Sequence, residues 1–119
     1  MQCIGVDIIE ITRIEEAVSR WGERFLTRIY RETEVAYCQN RAPQLAVRFA
    51  AKEATMKALG VGFTDINWID IEIVTDASGA PSLKLHGRAL QRFDELGLSH
   101  LKVSLSHSRE NAIAMVVGG

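Results

Sequence analysis

Hydrophobic residues form a short continuous run near the start of the chain and then recur at helical spacing. Residues 3–9 are apolar except for Asp7, which predicts a short buried strand. The next apolar residues recur every three or four positions and predict an amphipathic helix; they are Ile11, Ile14, Val18 and Trp21. Two further short helices are predicted, one around Phe25 and the other over residues 32–38.

A longer helix is predicted to end at Gly60, because residues 48–59 are rich in alanine and glycine is common where a helix stops. Asn40 is the expected N-cap, and Pro43 suits the first turn. Alanines cover much of one side of this helix, while the other side gathers Leu45, Phe49, Met56 and Leu59. Such a helix has little surface left for water, which predicts a central and buried position.

After this helix the hydrophobic period changes from helical to alternating. Ile69, Ile71 and Ile73 share one face of a predicted strand, and the other face of that strand is polar. Residues 77–81 have the composition of a turn, and residues 83–85 are expected to return as the partner strand.

The last part of the chain adds one helix and two strands. The helix ends at Gly97, residues 101–105 alternate, and residues 112–117 form an uninterrupted apolar run that predicts a central strand. Helices crowd the first half and strands the second, which predicts an α+β fold with an antiparallel sheet packed against the long helix. No linker or repeat divides residues 1–119, so we expect a single domain.

Composition narrows the classes of function. The 119 residues carry 14 Lys and Arg against 15 Asp and Glu, a balance that does not indicate a nucleic-acid-binding protein. Cys3 and Cys38 match neither a paired metal motif nor a disulfide framework, so both are expected as free thiols. The chain shows no basic leader and no apolar run approaching ~20 residues. We therefore expect a cytoplasmic protein without a membrane segment.

Charged side chains on the long helix are the first candidates for chemistry. Arg48, Lys52, Glu53 and Lys57 follow one another at roughly four-residue intervals, so one acid lies among three bases. Helix electrostatics is the simplest explanation, since Glu53 four residues before Lys57 is the favourable order and stabilises by ~0.2–0.5 kcal/mol. The alternative is a metal and polyphosphate site, in which the acid holds a cation and the bases hold phosphate oxygens.

Residues outside this helix offer further candidates, each with a structural explanation beside a functional one. A carboxylate in a buried strand needs compensation, so Asp7 either caps the following helix or joins Glu53 in holding Mg²⁺. His107 lies at a strand end, where histidines are usually satisfied core residues. Arg13 and Arg24 belong to a series of early arginines interleaved with glutamates, which either face solvent or meet an acidic protein partner.

Three segments of the chain form a combined signature. They are residues 4–11 (Ile-Gly-Val-Asp-Ile-Ile-Glu-Ile), the Arg-Phe-Ala-Ala-Lys-Glu-Ala block that starts at Arg48, and residues 103–108 (Val-Ser-Leu-Ser-His-Ser). Together they resemble the small, single-domain phosphopantetheinyl transferases. The resemblance covers essentially the full length. It departs at Cys3, where the family often has a further glycine, and at Lys102, where histidine is common.

This resemblance implies transfer of the 4′-phosphopantetheine arm of coenzyme A to a serine of an apo-acyl carrier protein, with Mg²⁺ and with release of adenosine 3′,5′-bisphosphate. It implies that Asp7 and Glu53 bind the Mg²⁺ and that these two and Lys57 form the catalytic group. The residues expected at coenzyme A are Arg48, Lys52, Lys57, Gly60, His107 and Ser108. Arg13 and Arg24 would meet the acidic carrier protein, and members of this subgroup are typically homotrimers with the site at the subunit boundary.

Two other functions stay open on the residues alone. One is a non-catalytic module that binds coenzyme A or a nucleotide, with the acids in a structural role. The other is a small metal-dependent phosphohydrolase that uses the same carboxylates on water. The sequence has no P-loop and no dinucleotide-binding glycine motif, so side chains must supply most of any phosphate binding.

Overall fold

The computed structural model describes residues 2–119. Its helices are α1 (Ile11–Trp21), α2 (Glu23–Ile29), α3 (Glu32–Cys38), α4 (Ala42–Leu59) and α5 (Gly87–Glu95). Its strands are β1 (Cys3–Glu10), β2 (Ile71–Thr75), β3 (Pro81–Leu85), β4 (Leu101–His107) and β5 (Asn111–Gly118), and a 3₁₀ turn at Trp68–Asp70 leads into β2. This order of elements confirms the predicted α+β fold.

The strands form a three-stranded antiparallel sheet and a separate hairpin. β5 lies at the centre of the three-stranded sheet, between β1 and β4, which confirms the central position predicted for residues 112–117. β2 and β3 pair only with each other. In the larger sheet Asp7 and Leu105 both lie opposite Ala114, so these three side chains share one face.

Helix α4 lies against this face and forms the centre of the molecule. Its small side chains, including Ala50, Ala51 and Ala54, are fully buried and allow the helix and the sheet to approach closely. The approach is tightest at Gly5, where a Cβ would lie 2.8 Å from the amide nitrogen of Ala58. One hydrophobic cluster fills the space between α4 and the sheet, and a second lies under α1 and α2.

The opposite face of the three-stranded sheet is uncovered in the single chain. Its apolar side chains are 40–65% exposed; they are Ile4, Val6, Ile8, Ile113, Met115 and Val117. The prediction that residues 3–9 form a buried strand is therefore wrong for every second residue, because α4 covers only the other face. We call these six side chains the outer sheet face.

Three local expectations are corrected. Asn40 is not the N-cap of α4: its backbone is left-handed with φ of 58°, and the N-cap is Arg41, which makes no side-chain capping bond. β2 begins at Ile71 rather than at Ile69, because the preceding residues form the 3₁₀ turn. Trp21 lies on the apolar stripe of α1 and is nevertheless 52% exposed, because α1 ends there and no element covers it.

Cys3 and Cys38 are free thiols, as predicted, and Cys38 is fully buried. Burial raises the pKa of the Cys38 thiol. Within residues 2–119, no helix has both the length and the apolar character needed to cross a membrane.

Candidate active site

Strand β1 and helix α4 bring three predicted site residues together. Asp7 lies on β1, while Glu53 and Lys57 lie one turn apart on α4. The Lys57 ammonium donates to Asp7 Oδ1 at 3.1 Å and to the Val6 carbonyl oxygen at 3.0 Å. The Lys57 side chain is 56% exposed and that of Asp7 only 10%, so the lysine can still meet a ligand from solvent.

The environment of Glu53 shifts the pKa of its carboxyl group. Burial raises the pKa of Glu53, and the charge of Asp7 and a hydrogen bond with the Asp7 carboxyl group raise it further. Lys57 and Arg13 act in the opposite direction. Two carboxyl groups this close repel each other when both are ionised, so the pair favours a bound proton or a bound cation.

An open cleft of ≈ 360 Å³ lies at this carboxyl pair. Asp7, Glu53 and Arg13 supply polar lining, and Phe25 and Phe49 supply apolar lining. In the described residues 2–119, no group of three or more His, Cys, Asp or Glu side chains is arranged to hold a metal ion. Two carboxylates at an open cleft leave room for water and phosphate oxygens, which are the other ligands that Mg²⁺ usually keeps. This donor set fits Mg²⁺.

A second cleft, of ≈ 280 Å³, contains Arg48 and His107. Arg48 is only 3% exposed, and its guanidinium donates to Thr75 Oγ1 at 2.8 Å and to the carbonyl and side-chain oxygens of Gln44, each at 3.2 Å. Within residues 2–119, Arg48 Nε has no hydrogen-bond partner and no acid forms an ion pair with this arginine. A buried cation without a countercharge is costly, so this cleft favours an anionic ligand.

The two clefts have no lining residue in common. Arg48 and Glu53 both lie on α4, but the helical repeat places them about 140° apart around its axis. The single chain therefore presents its carboxyl pair and its buried arginine on different sides of the same helix.

The other three predicted ligand contacts are accessible. His107 ends β4 and is exposed, so it is not a core histidine. Ser108 follows in the turn to β5, where its hydroxyl accepts the Asn111 amide at 3.3 Å. Gly60 is the C-cap of α4, with φ of 69°, and it follows Lys57 on the same side of the helix.

Lys52 lies at neither cleft, so the structure does not bring it together with the other residues predicted to contact coenzyme A. Its side chain is 0% exposed and forms an ion pair with Glu34 at 2.9 Å. Its ammonium also donates to the carbonyl oxygens of Trp68, at 3.3 Å, and of Ile71. All three N–H groups of the ammonium are thus used inside the protein, and burial lowers the pKa of Lys52 while Glu34 opposes that change.

Comparison with known proteins decides the family. A family model described as the 4′-phosphopantetheinyl transferase superfamily matches residues 3–116. The chain belongs to the 4′-phosphopantetheinyl transferase superfamily. The match runs from β1 into β5 and includes every residue that lines either cleft.

Relatives of this phosphopantetheinyl transferase match it along its whole length. The holo-[acyl-carrier-protein] synthase of Herpetosiphon aurantiacus is 53% identical over 125 residues, which covers 99% of this chain and 98% of the relative. The solved holo-[acyl-carrier-protein] synthase of Helicobacter pylori, in complex with coenzyme A, has a TM-score of 0.89 at 36% identity and covers 98% of this chain and 99% of its own. A coenzyme A complex from Chronobacterium ammoniagenes has a TM-score of 0.87 at 28% identity, with 99% and 96% covered.

The arginines predicted to meet a protein partner lie beside the carboxyl cleft of the phosphopantetheinyl transferase. Arg13 lines that cleft directly. Arg24 lines a third, mostly apolar cleft of ≈ 390 Å³ together with Trp21, Phe25 and Arg28. Phe25 lines both clefts, so the two surfaces adjoin.

Two side chains that contact the cations of α4 were missed from sequence. Glu34 is the buried partner of Lys52, and Tyr37 lies with its ring 4.4 Å from the guanidinium carbon of Arg48. Both lie on α3, which is too short to show a clear hydrophobic period in the sequence. The only signal for Glu34 is its position four residues before Cys38, on the face that α3 buries.

Proposed function

We propose that this phosphopantetheinyl transferase moves the 4′-phosphopantetheine arm of coenzyme A to a serine of an apo-acyl carrier protein in a Mg²⁺-dependent reaction that releases adenosine 3′,5′-bisphosphate. The observation that carries the proposal is the meeting of Asp7 and Glu53 at one open cleft, with the Lys57 ammonium held on the Asp7 carboxylate. The coenzyme A complexes of two structural relatives support coenzyme A as the phosphate-bearing substrate.

Asp7 and Glu53 are the residues that would hold Mg²⁺. When bound there, the ion supplies positive charge to the pyrophosphate oxygens as the bisphosphate leaves. The raised pKa of Glu53, caused first by burial and then by the charge of Asp7, supports this assignment, because a bound cation would stabilise both carboxylates.

Lys57 and Glu53 have further roles in the proposed reaction. Lys57 is fixed by Asp7 and the Val6 carbonyl group and is exposed enough to place its charge on a phosphate oxygen. The serine hydroxyl of the carrier must lose its proton as it attacks the β-phosphorus. The candidate acceptors of that proton are Glu53 and a water that the bound ion would hold.

The second cleft would hold the nucleotide end of coenzyme A. Arg48 offers a buried positive charge without an ion-pair partner in the described chain, and His107 lies beside it. Ser108 and Gly60 add accessible hydrogen-bonding groups near the two clefts. An anionic ligand in this cleft would compensate the Arg48 charge.

The proposed assembly is a homotrimer. The six apolar side chains of the outer sheet face are 40–65% exposed in the single chain, and such a patch favours burial against other copies. The two clefts lie on different sides of α4, so neighbouring subunits can supply the carboxyl pair and the Arg48 cleft to one coenzyme A molecule. The acidic carrier protein is proposed to bind at Arg13 and Arg24, beside the carboxyl cleft.

The test is to incubate the protein with coenzyme A, Mg²⁺ and an apo-carrier protein and to measure the mass of the carrier. The proposal expects a gain equal to the phosphopantetheine group, which disappears when a chelator is added. A binding module would leave the carrier mass unchanged. A phosphohydrolase would release product from coenzyme A without any carrier, so this one experiment separates the three functions.

A further inference from the structure

Two guanidinium groups lie over the ring of Tyr37. The guanidinium carbon of Arg48 is 4.4 Å from the ring centroid, and that of Arg41 is 5.5 Å from it. Arg41 is held in turn by the carbonyl oxygens of Tyr37, at 2.7 Å, and Cys38, at 2.9 Å. The ring therefore lies at the end of α3 and lines the cleft that contains Arg48 and His107.

Neutral groups alone hold Arg48 within the described chain. Thr75 and Gln44 accept hydrogen bonds from its two terminal nitrogens, and no ion pair among residues 2–119 includes it. Three such hydrogen bonds, made along N–H groups that lie in the guanidinium plane, do not prevent the group from tilting. Contact with the face of an aromatic ring does, because the negative ring face attracts the cation perpendicular to that plane.

The hydroxyl group of Tyr37 has no part in this arrangement. The other tyrosine of the chain, Tyr30, is buried and donates its hydroxyl to the Leu45 carbonyl oxygen at 2.7 Å. Tyr37 is 41% exposed, and among residues 2–119 its hydroxyl makes no comparable bond. The ring, rather than the hydroxyl, is what Arg48 uses.

We propose that Tyr37 is a positioning residue for coenzyme A: its ring fixes the guanidinium of Arg48 in the cleft that this arginine lines, so that the positive charge stays directed at an anionic group of the substrate. This inference rests on the proposed function, and it adds a residue that does not itself react. Removing the ring weakens binding of the nucleotide end and leaves the chemistry at Asp7, Glu53 and Lys57 unchanged.

The experiment compares Tyr37→Leu with Tyr37→Phe, its matched control, in the transfer reaction with Mg²⁺ and an apo-carrier. Tyr37→Leu is expected to raise KM for coenzyme A and Kd for adenosine 3′,5′-bisphosphate about tenfold, equivalent to ~1.4 kcal/mol, with kcat close to that of the unaltered enzyme. Tyr37→Phe keeps the ring and is expected to match the unaltered enzyme in all three quantities. The same Tyr37→Leu change made together with Arg48→Gln is expected to have little further effect, because the group that the ring positions is gone.

A further variant at position 37, close in shape to tyrosine, distinguishes a loss of positioning from misfolding. Pentafluorophenylalanine at position 37 keeps the ring and reverses the sign of charge on its face, so it should raise KM for coenzyme A as Tyr37→Leu does. Equal KM values for all position 37 variants in an active enzyme overturn the positioning role and leave the proposed function intact. A rise in KM with Tyr37→Phe, or an equal rise from Tyr37→Leu with and without Arg48, also overturns it. If the unaltered protein transfers nothing to the carrier, the proposed function itself has failed.

Discussion

Gly5 on β1 lies directly against the backbone of Ala54 on α4. A Cβ at position 5 would overlap the Ala54 carbonyl oxygen and lie 2.8 Å from the amide nitrogen of Ala58. This contact sets the spacing between strand and helix two residues before Asp7 and one residue after Glu53. The carboxyl pair meets because a glycine and an alanine let its two elements approach closely.

Gly5→Ala is therefore expected to damage both stability and activity. The obstructing atoms belong to the helix backbone and cannot rotate away, so the change should cost at least the ~1–3 kcal/mol typical of overpacking. Urea unfolding measures the loss of stability, and the rate of carrier modification should fall with it. Gly62→Ala is the control, because the only neighbour of a Cβ there is an Asp65 carboxylate oxygen at 3.9 Å. Equal stability of the two variants would contradict the proposed spacing role of Gly5.

Glu53→Gln is expected to stabilise the protein at neutral pH when a chelator is present. The folded-state pKa of Glu53 is raised, so the folded protein carries a penalty whenever Glu53 is ionised. That penalty is fully present above the raised pKa and fades as pH falls through it toward the ordinary value. The variant should therefore melt at a higher temperature than the unaltered protein at pH 7, and the difference should shrink in acid. A variant that melts lower at every pH would show that the pKa of Glu53 is not raised.

Lys52→Met is expected to act on stability rather than on substrate affinity. The substitution leaves Glu34 buried without its counterion, which typically costs ~3–5 kcal/mol. Adding Glu34→Gln should recover part of this loss, because no buried charge is then left alone. Lys57→Met is the control for stability, since its ion pair is largely exposed on the lysine side and should contribute only ~0–1 kcal/mol. A raised KM for coenzyme A in a stably folded Lys52→Met variant would restore Lys52 to the ligand-binding residues.

Ile113→Glu is expected to disrupt the assembly. Ile113 is 40% exposed on the outer sheet face, and a charge there cannot be buried against another copy without a partner. Light scattering should report a trimer for the unaltered protein and smaller species for the variant. Val74→Glu is the control, because Val74 is similarly exposed but lies on the separate hairpin. A monomeric unaltered protein that transfers at full rate would rule out the proposed trimer.

Much of the fold could be predicted because its elements have clear hydrophobic periods. The α3 and α4 helices end where Gly60 and the local pattern place them, and the uninterrupted run in β5 correctly indicated a central strand. The same periods could not predict which apolar residues are exposed. Ile4 and Ile8 look alike in sequence whether their own chain or another copy covers them.

Site residues were harder to predict where the answer depends on long-range contacts. Four charged side chains on α4 suggested a polyphosphate site. Lys52 instead forms a buried ion pair with Glu34, which lies 18 positions earlier on another helix. The meeting of Asp7 with Lys57 spans 50 residues, and from the residues alone a site that Asp7 shares with α4 was only one of two alternatives, the other being a helix cap. Spacing within one helix shows which side chains share a face, but it does not show what that face touches.

Single-turnover transfer to the carrier, measured against Mg²⁺ concentration, is the most direct test of the claim that Asp7 and Glu53 together hold the metal ion. The unaltered enzyme should show saturable activation by Mg²⁺ and no transfer in chelator. Glu53→Gln, verified as folded by its melting curve, should be slower by on the order of 10²-fold or more at every Mg²⁺ concentration. Near-normal transfer by that variant would contradict the account.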